Sequence, residues 1–359
     1  MELVNATPVP ARLFVARLLG GAHRAGMIVA KATFRVTPRG PALDTQDPVP
    51  LLAEDRETEL GLLPRDDLPR RDEAFEVALL GAAYAPRGRP VQRMTVGLSV
   101  GDERRELAIF GDRRWEGRDG ERRIGPAAPF TRMPLTYERA FGGRAEVEID
   151  QEAFVEVSDL RNPRGRGFDP GPPARGLAEM LRAPEGYPRH DEERLLPNVE
   201  DPAAPIRAWD DAPDPASWAP VPMESAIHAA RSVRPPEPQD PIAPGKMPPM
   251  EIREAVFHRA HPTWIVSRPE PGSVVTMSGL TPDREVVSFR LPALRVVIDY
   301  VAGIRTGTRE LTPQLLLLLP EEGRFYLVFR HAFMFEYPSA ERSMRLRLLD
   351  GGAGAAERS

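Results

Sequence analysis

The sequence predicts a mainly β protein, on three observations. Apolar and polar residues alternate with a period of two at several places between residues 27 and 348, the pattern of half-buried strands. Proline is abundant, 41 of 359 residues, and each proline inside a helix removes a hydrogen bond and clashes with the preceding turn. Clusters of glycine, proline and aspartate interrupt the apolar runs where turns between strands would fall. The length allows more than one folding unit. The expected architecture is two β-sandwich or barrel-like regions, residues 1–160 and 251–349, linked by a proline-rich irregular arm, 161–250, with one or two short helices, and followed by a flexible tail, 350–359.

In the N-terminal region, 27–36 sets Lys31, Thr33 and Arg35 against Ala30, Ala32, Phe34 and Val36, so one face is expected in the core and the other in water. Residues 75–83 read as a shorter, more apolar strand. Met94, Val96, Leu98 and Val100 alternate, Gly101-Asp102-Glu103 offers a turn, and 106–110 returns as the partner strand. Residues 146–157 alternate imperfectly. The arm holds 20 of the 41 prolines, and 174–183 and 223–234 are its longest helix-compatible stretches. From 189 to 224 it carries nine acids and three arginines, yet Tyr187, Trp209 and Trp218 are apolar anchors that a free linker does not need. It is therefore expected to lie ordered but irregular on the β regions. Beyond it, 273–277, 286–291, 294–301, 314–319 and 324–330 read as strands, with Pro320-Glu321-Glu322-Gly323 as a hairpin turn. Met344, Leu346 and Leu348 alternate with arginines in a last strand.

Composition narrows the function. The net charge is −5, with 48 basic and 53 acidic residues, which lacks the basic excess of a nucleic-acid binder. The arginines at 113, 114, 118, 122 and 123 are interleaved with Asp112, Glu116, Asp119 and Glu121, which nearly cancel them. The absence of cysteine excludes disulfides, thiolate metal sites and cysteine nucleophiles and fits a reducing cytoplasm. The first residues do not resemble a signal peptide, and the run 315–319 is far too short to span a bilayer. A soluble, cytoplasmic protein with no membrane partner is expected.

Motifs of catalysis are thin. Gly97-Leu98-Ser99-Val100-Gly101 matches a nucleophile elbow in letters, but the elbow needs a strand, a sharp turn and a helix, whereas these residues lie in an alternating strand before a hairpin. His258 and His261, with Glu254, lack a third ligand at metal spacing. The pairs Asp210-Asp211 and Glu192-Glu193 read as solvated faces, and Gly165-Arg166-Gly167 lacks the third glycine of a phosphate loop. No cofactor, metal or catalytic residue is expected. A carboxylate- or Ser99-based hydrolase is the alternative reading, and a structural part of a contractile injection machine a third.

Four stretches stand out instead, mixing glycine, proline, arginine and aromatics in turn-like order: 110–115 (FGDRRW), 129–143 (PFTRMPLTYERAFGG), 162–168 (NPRGRGF) and 196–202 (LPNVEDP). They are turn chemistry, and aromatics and arginines are also the usual anchors of interfaces. Arg113, Trp115, Tyr137, Arg139, Phe141, Arg166 and Phe168 are the candidate partner-binding residues. At least one of Trp115, Tyr137 and Phe141 is expected to hold 129–143 against the β region. Arg113, Arg139 and Arg166 either receive a partner or tie down the acidic arm.

Together with Asn5-Ala6-Thr7-Pro8, 29–34 (VAKATF), 81–86 (GAAYAP) and Phe289-Arg290-Leu291-Pro292, these stretches resemble, in order from about residue 3 to 300, a family of bacterial proteins of uncharacterised domain. That family is described as adaptors or chaperones of type VI secretion effectors. Pro69-Arg70-Arg71-Asp72 keeps part of its Lys-Pro-x-x-Asp pattern. The resemblance implies a non-enzymatic carrier that binds a secreted effector, one bearing a PAAR-type tip or linked to VgrG, and helps load it on the secretion spike. It attributes no catalytic residues.

Overall fold

The alternation around Lys31 lies in a 15-residue strand, His23–Thr37, which pairs along its length with the 13-residue Arg324–Glu336. The computed structural model describes residues 2–17, 23–68, 70, 72–117, 122–148, 154–169, 195–228, 233–234, 251–252, 257–336 and 342–350. Around that pair a seven-stranded mixed sheet forms in the order Ala11–Arg17, His23–Thr37, Arg324–Glu336, Thr312–Leu319, Phe75–Leu79 and Ile265–Val266, with Gly40–Leu43 also on His23–Thr37. A five-stranded sheet runs Val199–Glu200, Glu103–Phe110, Arg93–Val100, Val274–Ser278 and Val286–Arg290. A four-stranded sheet runs Glu2–Asn5, Arg342–Asp350, Leu294–Ala302 and Arg305–Glu310. No sheet closes into a barrel.

The fold is mainly β, but its strands do not sort by sequence region. Phe75–Leu79 pairs in parallel with Thr312–Leu319, and Arg93–Val100 pairs with Val274–Ser278. Residues 1–160 and 251–349 therefore share sheets, and all three large sheets contribute to one hydrophobic cluster running from Val9 to Leu346. Phe289 stacks on Phe325 at 4.7 Å, and Phe325 on Phe34 at 5.1 Å, joining the five- and seven-stranded sheets by offset aromatic packing.

The described part of the arm is ordered. Trp218 is buried against Trp264, Trp209 lies under Arg122, and Leu79 donates its backbone N–H to Trp218. The helix expected at 223–234 is not formed in its described part: 223–228 turns, and Val233–Arg234 pairs as a short strand with Glu251–Ile252. Among the described residues the helical pieces are single 3-10 turns, such as Tyr137–Arg139 and Pro262–Trp264. Tyr187, 174–183 and the tail 351–359 lie outside the described residues.

The other face of the seven-stranded sheet departs from expectation. Lys31 and Thr33 do not meet water; they are 0% and 1% exposed. Residues around Val49, Pro50 and Asp66 cover them. Thr33 accepts the Val49 N–H at 2.9 Å, and Lys31 donates to the Pro50 carbonyl at 3.0 Å and pairs with Asp66 at 2.6 Å. Arg70 pairs with Glu76 and Asp72, at 2.5 and 2.6 Å. Glu76 also accepts the N–H groups of Arg259 and Ala260. Burial drives the Lys31 ammonium down from its usual range although Asp66 pulls it back, and burial beside Arg70 brings Arg330 to about 10. A buried ion that loses its partner is strongly destabilising, so this covered face demands a specific arrangement of the loop above it.

Candidate functional site

The four turn-rich stretches, spread over more than 90 residues, converge at one junction. Tyr137–Arg139 makes a 3-10 turn, and Phe141–Gly142 then pairs in parallel with Arg166–Gly167. Two buried asparagines close the junction. Asn162 donates to the carbonyls of Tyr137 and Phe141 at 2.7 and 2.9 Å, and its own carbonyl accepts the Gly143 N–H. Asn198 donates to the Phe110 carbonyl and to Asp112, and accepts from Arg139 at 3.0 Å. The chain passes so close to Asn162 that Gly142, with φ +134°, has no room for a Cβ: one would fall 2.3 Å from the Asn162 carbonyl oxygen.

The arginines are tied inward. Arg113 is buried, lies 3.7 Å over the Phe110 ring, donates to the Pro197 carbonyl and forms an ion pair with Glu200. Burial raises the Glu200 carboxyl and lowers the Arg113 guanidinium despite their attraction. Asp112 receives Arg139 at 3.3 Å and Arg166 at 3.6 Å, and Arg166 donates to the Glu138 carbonyl. Further along, Arg161 pairs with Asp214, and Arg164 with Glu224. Arg113 of the β region thus holds the acidic arm at Glu200, and Arg161 and Arg164 pair with acids inside the arm itself.

Of the seven candidate partner-binding residues, Arg113, Tyr137 and Phe141 are only 6%, 2% and 4% exposed. They present no surface to a partner; they are scaffold, because each closes the junction from inside. Phe141 packs with Leu196 and Ile206 against Trp115. Trp115, Arg139, Arg166 and Phe168 stay half-buried at the rim, where the Phe168 N–H bonds the Gly142 carbonyl.

The other sequence candidates are also placed. Ser99 stands in the ladder between Arg104 and Thr276, and a hairpin turn follows it instead of a helix. His258 bonds Asp72 at 2.7 Å; burial alone would raise that carboxyl, but His258 and Arg70 outweigh it and bring it to about 2. His261 caps the turn Pro262–Trp264. Among the described residues no group of three or more histidines or carboxylates is placed to hold a metal ion, and no helix is long and apolar enough to cross a membrane.

An open site lies elsewhere, where the four-stranded sheet meets the C-terminal end of Arg324–Glu336. It is a groove of about 450 Å³, lined by Tyr300, Arg305, Arg309, His331, Phe333 and Met344 among others. Both aromatic walls rest on glycines. Tyr300 lies opposite Gly307, where a Cβ would be 2.7 Å from its Oη, and Phe333 lies opposite Gly26, where one would be 2.5 Å from its Cζ. Glycine inside a strand marks such close approach. Burial and the Arg309 charge push the His331 imidazole down from 6.5. Val301 and Met334, at the groove, and Ile304, in the adjoining turn, are 46%, 53% and 101% exposed. The sequence reading missed this groove; glycines set into strand-like runs were the available signal.

No curated protein and no solved structure matches the chain. A family model does match, over residues 22–330, which takes in the junction, the buried charge network and the groove's arginine strand. By that match the chain belongs to the family of uncharacterized proteins conserved in bacteria, DUF2169.

Proposed function

We propose that this protein is a non-enzymatic adaptor that binds a secreted effector protein in the bacterial cytoplasm and helps load it on a type VI secretion spike. The observation that carries the binding role is the open apolar and aromatic groove, flanked by exposed Val301, Ile304 and Met334. Clustered exposed apolar side chains beside polar groups are the usual mark of a protein-binding surface. The family resemblance in the turn-rich stretches supplies the kind of partner. Ser99 is held in a strand ladder between Arg104 and Thr276, which is not the strand-to-helix turn that a nucleophile elbow needs.

The test is co-expression with the PAAR- or VgrG-linked effector encoded beside this gene, followed by affinity capture and size-exclusion chromatography. The expected result is a stable complex that survives moderate salt. A folded, monodisperse chain that retains no such effector, or a gene neighbourhood with no secretion component, overturns the proposal.

A further inference from the structure

The strand Arg305–Glu310 is the outer edge of the four-stranded sheet: it pairs with Leu294–Ala302 on one side, and no described strand pairs with the other. Such an edge presents a row of unpaired backbone donors and acceptors. It contains no proline and no bulge. Strand geometry sends alternate residues to one face, and Arg305, Gly307 and Arg309 share the face that lines the groove, with Tyr300 lying over Gly307. The neighbouring charges of this sheet are satisfied: Glu310 pairs with Arg295 at 2.7 Å and Asp299 with Arg347 at 2.5 Å. Arg305 and Arg309 form no ion pair among the described residues. Arg309 makes only a 3.5 Å contact to the Thr308 carbonyl and a 6.0 Å approach to the Tyr300 ring. Two cations of one sign, at i and i+4 on the same strand face, stand beside an aromatic floor on an open edge.

We infer that the groove takes an extended segment of the partner polypeptide, added as a strand to Arg305–Glu310 and carrying an acidic-x-apolar-x-acidic pattern. The inference rests on the adaptor reading and names the chemistry of its partner. Main-chain hydrogen bonds to the edge supply affinity, and alternate side chains supply specificity. In this register the two acidic residues stand across from Arg305 and Arg309, and the apolar one stands across from Gly307 and packs on Tyr300 and Phe333. Opposite charges directly across a strand pair are favourable and like charges are not. That rule also argues against a second copy of this chain as the occupant: antiparallel self-pairing centred on Gly307 sets Arg305 against Arg309.

The test uses the full chain and fluorescein-labelled 11-residue peptides, read by anisotropy. One peptide is centred on Glu-Thr-Leu-Thr-Glu, one on Lys-Thr-Leu-Thr-Lys, one on Glu-Thr-Ser-Thr-Glu, and one repeats the first with N-methylated backbone. Only the first is expected to bind well. Reversing both peptide charges, or changing Arg305→Glu with Arg309→Glu, should weaken it by about tenfold or more, since a single solvent-facing pair contributes up to about fivefold. Because the peptides vary on an unchanged chain, a misfolded variant cannot decide the outcome. Equal binding of the acidic and basic peptides, insensitivity to N-methylation, or no binding up to about 1 mM overturns the inference. So does a concentration-dependent dimer that the acidic peptide fails to dissociate. If the wild-type chain and the double arginine variant retain the effector equally, the groove assignment falls and the adaptor reading stands. If the wild type binds the acidic peptide but retains no effector, only the adaptor reading falls.

Discussion

The junction of the turn-rich stretches and the groove at the sheet edge are opposites. The junction is dense in sequence motifs and closed: its asparagines, arginines and acids bond one another, and Tyr137 and Phe141 are buried. The groove carries no such motif and is open, with arginines that form no ion pair among the described residues and with exposed apolar side chains. The difference teaches that a conspicuous motif can mark a place where irregular backbone must be satisfied internally. Capacity for a partner lies where satisfaction is incomplete.

The largest expected effects are at the junction. Tyr137→Ala and Phe141→Ala each remove a buried aromatic and should destabilise the fold by about 3–5 kcal/mol. Glu200→Ala leaves Arg113 buried without its carboxylate, an effect of about 3–5 kcal/mol, and Glu200→Gln should recover part of it because the amide still accepts a hydrogen bond. Urea titration checks all four. If these variants unfold like the wild type but lose the effector, the junction is a binding surface and the comparison is broken.

Asn162→Ala comes next. It strips the Phe141 carbonyl of its donor and leaves the Tyr137 carbonyl only the Ala140 N–H, at about 1–3 kcal/mol for a buried group left unsatisfied. Asn162→Asp should be no better, because a carboxylate cannot donate to them. A variant as stable as the wild type by thermal melting would show that the junction tolerates open carbonyls.

The strands were legible because alternation is local: 27–36, 94–100, 314–319 and the hairpin at 320–323 all lie inside observed strands and turns. What covers a face is not local. Lys31 and Thr33 look solvent-facing by period alone, but they are buried because Val49, Pro50 and Asp66 come from segments with no periodicity of their own. The pairing of 75–79 with 312–319 is more distant still in sequence. A scaffold role for at least one of Trp115, Tyr137 and Phe141 followed from their turn-rich setting, and Tyr137 and Phe141 are the buried ones. The groove was hidden because Val301 reads as an ordinary strand residue and Ile304 and Met334 fall outside every element the sequence predicts, and only Gly26 and Gly307 hinted at aromatics packed above them.

A third, smaller effect separates the covered charge network from both regions. The Asp72 carboxyl ordinarily titrates at 3.8 and is brought to about 2 in the fold. Its folded value is depressed, so its contribution to stability is complete above pH 4 and is lost as the pH falls from about 4 to about 2. Acid unfolding followed by circular dichroism should steepen in that window, and Asp72→Asn should flatten it. An unchanged slope would mean that His258 and Arg70 do not hold that carboxylate.

The smallest effect on stability is expected at the groove, and there it is most informative. Arg305 and Arg309 lie on an exposed edge strand with no ion pair among the described residues. Changing each to alanine removes no buried contact, so stability should move by no more than about 0.5 kcal/mol in either direction. Their removal should even relieve the repulsion between two cations on one face. Effector retention should nevertheless fall, and fall further as salt is lowered relative to the wild type, because screening weakens the wild-type attraction but has little left to screen in the variant. The pairing of unchanged urea midpoint with lost, salt-insensitive binding is the signature of a surface kept open for a partner. If Arg305→Ala with Arg309→Ala instead destabilises the fold by several kcal/mol, the two arginines are structural, like Arg113, and the contrast between a closed junction and an open groove disappears.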